Sequence, residues 1–179
     1  MAALKQIRTR FKGVGNIRKI TKAMELVSVS KMKRSVNAVL ASRPYAEHCE
    51  FVLKELSARV DASLHPLLGK SEVIQQVLII VVSADRGLCG NFNNAVLEKT
   101  EEFVRSLSPT ANVSFVSVGK KIQEAIARKK WNLTASFLNL SLAPTASDIL
   151  PIANIAKAGF LEKKFDHVFL VYTDFISTV

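Results

Sequence analysis

Residues 16–34 read NIRKITKAMELVSVSKMKR, a basic stretch with apolar residues at helical spacing and no Pro or Gly. Around it, from Leu4 to Val60, the only Pro is Pro44 and the only glycines are Gly13 and Gly15. The spacing predicts one long helix over residues 1–60. At 1.5 Å rise per residue such a helix reaches roughly 90 Å, several times the diameter of a small domain. The apolar positions run Leu4, Ile7, Phe11, Val14, then Ile17, Ile20, Met24, Val27, then Met32, Val36, Val39. Ala46, Cys49, Leu53, Leu56 and Val60 carry the stripe on. Steps of three and four make the narrow seam of a coiled coil, and the three-residue skip after Val14 shifts it around the helix. Gly13 and Gly15 each cost about 1 kcal/mol against Ala, so a break there is the alternative. Pro44 is a place for a kink.

Charge follows the same division. The 179 residues carry a net charge of +10. Residues 1–34 hold ten cations (Lys5, Arg8, Arg10, Lys12, Arg18, Lys19, Lys22, Lys31, Lys33, Arg34) against Glu25, a net +9, while the remainder is nearly neutral. A cationic helical end calls for an anionic partner: nucleic acid, a membrane surface or an acidic protein surface. Cys49 and Cys89 lack metal-ligand spacing and read as reduced thiols of a cytosolic protein. The longest apolar run, residues 77–82, is far too short to cross a bilayer, and no signal peptide precedes the helix.

Residues 61–72 form a connector broken by His65, Pro66 and Gly69. Residues 73–179 then alternate strands and helices. VLIIVV at 77–82 is a strand buried on both faces, as in a parallel sheet, and 83–93 is a loop. A helix is predicted over 93–107, a strand over 113–118 and a helix over 119–130. A short strand over 137–142, a helix over 145–164 with Asp148 in its first turn, and a strand over 168–173 follow. The fold class is α/β: a small, mainly parallel, doubly wound sheet of Rossmann-like type preceded by a long coiled-coil helix.

In such a sheet the loop after the first strand is the natural ligand position. Here it reads Asp85-Arg86-Gly87-Leu88-Cys89-Gly90. The glycine spacing fits neither the dinucleotide fingerprint nor the P-loop. A tight turn with left-handed glycines is the simpler reading, its charged tip, Asp85 and Arg86, facing a protein. Cys89 has no His nearby to activate it. His48, His65 and His167 are scattered, and Asp85, Asp148 and Asp174 show no pairing for acid–base work. No catalytic, metal or cofactor site is expected. An apolar seam sustained over sixty positions is more than a phosphate-binding helix needs, so nucleic-acid binding through the basic helix stands as the alternative. A small enzyme using Cys89 would need a base the sequence does not show.

Two segments together resemble a known family. NIRKITKAMELVSVSKMKRS, followed by ASRPYAE at 41–47, resembles the N-terminal helix of the gamma subunit of F-type ATP synthases. SADRGLCGNFN resembles that family's strand-end loop, with Ala84 a one-residue variation ahead of Asp85, and TDFISTV resembles the sequence after a later strand. The family's second long helix, which pairs antiparallel with the first, is absent here, as are the chloroplast-type cysteine insertion and a mitochondrial leader. The resemblance implies a central-stalk rotor subunit that couples proton flow through the membrane ring to ATP synthesis. Its implied partners are the alpha and beta subunits, the epsilon subunit and the membrane c-ring, without nucleic acid or membrane insertion. The implied setting is peripheral, on the cytoplasmic face of a bacterial cell membrane. The implied contacts are Arg8, Lys19, Ile20, Lys22, Met24, Lys31 and Arg34 on the axle, and Asp85, Arg86 and Asn93 in the loop.

Overall fold

The structure is a computed structural model that describes residues 2–61, 65–68, 74–140 and 144–177. Its elements are α1 (Ala2–Arg59), β1 (Gln76–Val82), α2 (Phe92–Ser106), β2 (Asn112–Val118), α3 (Lys120–Arg128), β3 (Asn132–Phe137), α4 (Ala146–Leu161) and β4 (His167–Val171). The chain divides into two compact units, Met1–His48 and Cys49–Val179.

α1 is a single helix of 58 residues, with Pro44 inside it. It runs without interruption through Gly13 and Gly15, so the alternative of a break there does not occur. A Cβ at either glycine would meet nothing within 4 Å. Their helical penalty of about 1 kcal/mol each is one that many flanking good helix formers offset.

The second unit is built on a four-stranded sheet in the order β3-β2-β1-β4. Each pair is parallel. β1 is central, and its β-branched run is what a strand covered on both faces requires. Val77, Ile79 and Val81 point to one face, where Val96 of α2, Phe115 of β2, and Ile122, Ala125 and Ile126 of α3 complete the core. Leu78 and Ile80 point to the other, with Val116, Val118 and Ile152 of α4. Helices on both faces make the sheet doubly wound. α4 starts at Thr145, whose N–H and hydroxyl both donate to the Asp148 carboxylate at 2.8 Å. The backbone bond first, and then the hydroxyl bond, hold the Asp148 carboxyl below its ordinary pKa.

Two sequence expectations need correction or limitation. The strand expected over 137–142 is instead β3, Asn132–Phe137; residues 141 and 142 lie outside the described residues. β3 is an edge strand whose sequence NLTASF alternates polar and apolar side chains in place of the solid apolar run that marks β1. A register shift opposite Phe115 and Val116 interrupts its ladder further. Of the connector, residues 61 and 65–68 are described; 65–68 form a turn closed by the Leu68 N–H on the His65 carbonyl at 2.9 Å.

Candidate functional site

Seven of the expected contact residues lie on α1. Arg8, Lys19, Ile20, Lys22, Met24, Lys31 and Arg34 are all exposed. At about 100° per residue, Arg8, Lys19 and Lys22 fall within about 60° of one another. Ile20, Met24 and Lys31 cluster on the far side, with Arg34 between. Together these residues cover about 200° of the helix circumference. Lys22 is engaged by Glu25, its ammonium lying 2.9 Å from both carboxylate oxygens. So exposed a pair is worth about 0–1 kcal/mol.

The other three lie at the carboxyl end of β1, where the sheet brings three strand exits together. Ser83 continues the ladder, its N–H donating to the Val118 carbonyl at 2.8 Å. Its hydroxyl accepts the Ile122 amide at 3.0 Å. The Asp85 carboxylate accepts the Lys120 amide at 3.0 Å and the Asn139 amide at 3.1 Å. An anion at the first turn of α3 is where the helix dipole favours one. Asn93, in the first turn of α2, reaches back: its side-chain carbonyl accepts the Ala84 amide at 3.0 Å. Its amide nitrogen donates to Cys89 Sγ at 3.0 Å.

The close fit of this base depends on Gly119. Its φ is +98°, and a Cβ there would lie 2.3 Å from the Ser83 carbonyl oxygen. Beyond Asp85 the chain leaves the globule. Arg86, Gly87, Leu88, Cys89 and Gly90 are exposed, with Leu88 at φ 63° and Gly90 at φ 59°. Leu88 is 94% exposed, the most of any large apolar side chain among the described residues. Sequence reading passed over it, because nothing local marks a leucine as the tip of a loop.

Chemically the loop offers little to a substrate. The Lys120 and Ile122 amides at the start of α3 are taken up by Asp85 and Ser83. Cys89 Sγ has the Asn93 amide and the Arg86 carbonyl as its polar neighbours, neither of them a base. Among the described residues no cluster of three or more His, Cys, Asp or Glu is placed to hold a metal ion. No helix among them is long and apolar enough to cross a membrane.

A long basic helix joined to a parallel α/β unit with a stapled strand-end loop defines a class, and comparison with known proteins supplies the family. The chain belongs to the ATP synthase family, whose family model matches residues 3–179. Its curated relatives are ATP synthase gamma chains. Those of Synechococcus sp. strain JA-2-3B'a(2-13) and Synechococcus sp. strain RCC307 are 42% and 37% identical to it over its full length. The chain spans 58% of the length of each. Among solved structures, its fold is shared with a chain of the central stalk and c-ring of Tetrahymena thermophila mitochondrial ATP synthase. That match has a TM-score of 0.60 at 23% identity and covers 88% of this chain and 66% of the other. A rotor chain of Euglena gracilis mitochondrial ATP synthase matches with a TM-score of 0.54 at 18% identity, over 84% and 51% respectively.

Proposed function

We propose that this chain acts in the central-stalk rotor of an F-type ATP synthase, with no catalytic site of its own. The observation that carries the reading is α1. A 58-residue uninterrupted helix keeps its large apolar residues exposed, and at about 100° per residue eight of the ten cations of residues 1–34 fall within about 160° of its circumference, a broad basic face. An anionic collar would attract such a basic face without one fixed contact, whereas tightly buried ion pairs would resist turning. Membership in the family and the gamma-chain relatives support the same role. They leave the nucleic-acid alternative without support. The proposed partners are the alpha and beta subunits around the helix, the epsilon subunit and the membrane c-ring at the globular end. The proposed setting is the cytoplasmic face of a bacterial membrane, peripherally bound. Arg8, Lys19, Ile20, Lys22, Met24, Lys31 and Arg34 are proposed as axle contacts. The loop bearing Asp85, Arg86 and Asn93 is proposed as a second contact surface.

The test is co-purification with alpha and beta subunits. Because exposed pairs contribute about 0–1 kcal/mol each, Lys22→Ala alone should leave assembly nearly unchanged. Replacing Lys19, Lys22, Lys31 and Arg34 together by Ala should weaken it clearly. The difference should shrink as salt rises, since screening acts within about 8 Å at physiological ionic strength. A single Lys22→Ala as damaging as the quadruple change would refute diffuse attraction, and failure of the unaltered chain to co-purify would refute the role.

A further inference from the structure

Asp85 and Arg86 are adjacent in sequence, and the structure treats them in opposite ways. Asp85 is half-buried and Arg86 exposed. Both oxygens of the Asp85 carboxylate are held by backbone amides, one opening α3 and one just after β3. Those amides lie 35 and 54 residues further along the chain, so one carboxylate ties the exits of β1, β2 and β3 together. The residues beside it are fixed as well. The Ala84 N–H is bonded to Asn93 and its carbonyl accepts the Lys121 amide at 3.1 Å. The Ser83 hydroxyl holds the Ile122 amide. From that base the loop turns outward through left-handed backbone at Leu88 and Gly90, placing Arg86 and Leu88 in solvent.

We propose that Asp85 is a positioning residue of the stalk, acting on a partner only through Arg86 and Leu88, whose placement it sets. The inference rests on the stalk reading for its partner but not for its mechanism. With one amide on each oxygen, the Asp85 side chain could swing out toward a partner only by giving up both charge-assisted hydrogen bonds. Arg86 and Leu88 give up no internal bond of that kind. They supply a cation and an apolar tip side by side, and rigid presentation lowers the ordering cost of binding. Asn93 belongs with Asp85: its two polar ends are bonded to Ala84 and Cys89 within the loop.

The experiment uses the full chain and two readouts: peptide-level hydrogen exchange, and retention by purified alpha–beta hexamer lacking its own gamma chain. Asp85→Ala removes both acceptors, and Asp85→Asn keeps one carbonyl oxygen. Exchange at residues 119–122 and 138–140 should accelerate more than tenfold in Asp85→Ala and less in Asp85→Asn. Exchange across β1 should stay within twofold. Hexamer retention should fall in the same order. The double variant Arg86→Ala, Leu88→Ala should lower retention with exchange unchanged. Unaltered exchange in Asp85→Ala would overturn the proposal, as would lost retention in that variant without altered exchange, which would make Asp85 itself the contact. If the Arg86, Leu88 double variant is fully retained, the loop is not a stalk contact. That result overturns the action on a partner, and the exchange data then show separately whether Asp85 orders the loop.

Discussion

The first helix and the central strand carry equally apolar side chains and dispose of them in opposite ways. In β1, Val77, Leu78, Ile79 and Val81 have no exposed surface. In α1, Ile7, Phe11, Ile17 and Ile20 are between 60% and 80% exposed. The difference is one of geometry. A strand inside a parallel sheet has two faces, and the crossovers that parallel pairing demands lay helices across both. The sheet unit therefore closes its own core. A lone helix presents one stripe and nothing in its own backbone covers it, so its stability must come from packing against something else. Each large apolar side chain left in water forgoes roughly 1.5–3 kcal/mol. The contrast sets a sheet that buries a core of its own against a helix whose stripe stays exposed.

Truncating the same residue type in each region is the sharpest way to break this contrast. Ile79→Ala empties a fully enclosed site and should cost about 2–5 kcal/mol. Ile17→Ala, at a position 61% exposed, should stay within about 0.5 kcal/mol. Trp131 is the only tryptophan and stacks on Phe115 at 4.6 Å between ring centres. Its fluorescence during urea unfolding reports the sheet unit directly. Equal losses from the two substitutions would mean that α1 buries its stripe in the isolated chain.

Glycines give the next largest effect, and here the two regions should differ in sign. Gly119→Ala forces a side chain into a left-handed position, at φ +98°, against the Ser83 carbonyl. Left-handed strain and overpacking together should destabilise the sheet unit by roughly 2–4 kcal/mol. Gly13→Ala has open space around it and should strengthen the helix locally by about 1 kcal/mol. Far-UV circular dichroism and hydrogen exchange over α1 measure the gain. A loss at Gly13 would show that the backbone there is needed in another shape.

These glycines also mark how much was legible in sequence. The continuous helix could be anticipated from periodicity, but Gly13 and Gly15 left a break open that only the neighbours' combined propensity closes. β1 announced itself as a solid apolar run, since a strand covered on both faces tolerates little else, and β2 and β4 as stretches rich in Val and Phe. β3 did not, because its sequence NLTASF alternates polar and apolar residues and its ladder carries a register irregularity. The strand-end loop was found from its glycines and its place after β1. What Asp85 and Asn93 do there was not legible: the amides that hold Asp85 come from α3 and from beyond β3. Leu88 was overlooked for the same reason. Exposure is a property of the folded loop, and five residues of local sequence do not encode it.

The smallest expected effect concerns acid, and it separates the regions by the kind of bond each carboxylate makes. The Asp166 carboxylate accepts the Gln75 and Gln76 amides at 2.9 and 2.7 Å, pinning the start of β4 to the start of β1. The Gln76 amide, then the Gln75 amide, hold its carboxyl below the ordinary pKa. On α1, Glu50 is also lowered, first by its hydrogen bond to Lys54 and then by that residue's charge. A lowered folded pKa contributes stability that is complete above the ordinary carboxylate value, near 4, and is lost as pH falls through the folded value. Both regions should therefore weaken below about pH 4 and not above it. They should differ in salt. The Asp166 bonds are to neutral amides inside a ladder, whereas the Glu50–Lys54 pair is exposed on both sides and screened. In Asp166→Asn the urea midpoint followed by Trp131 should be lower at neutral pH and fall less steeply between pH 4 and 2. Glu50→Gln should leave that midpoint unmoved at any salt concentration. An unchanged acid slope in Asp166→Asn would show that the β1–β4 clamp does not govern the acid response of the sheet.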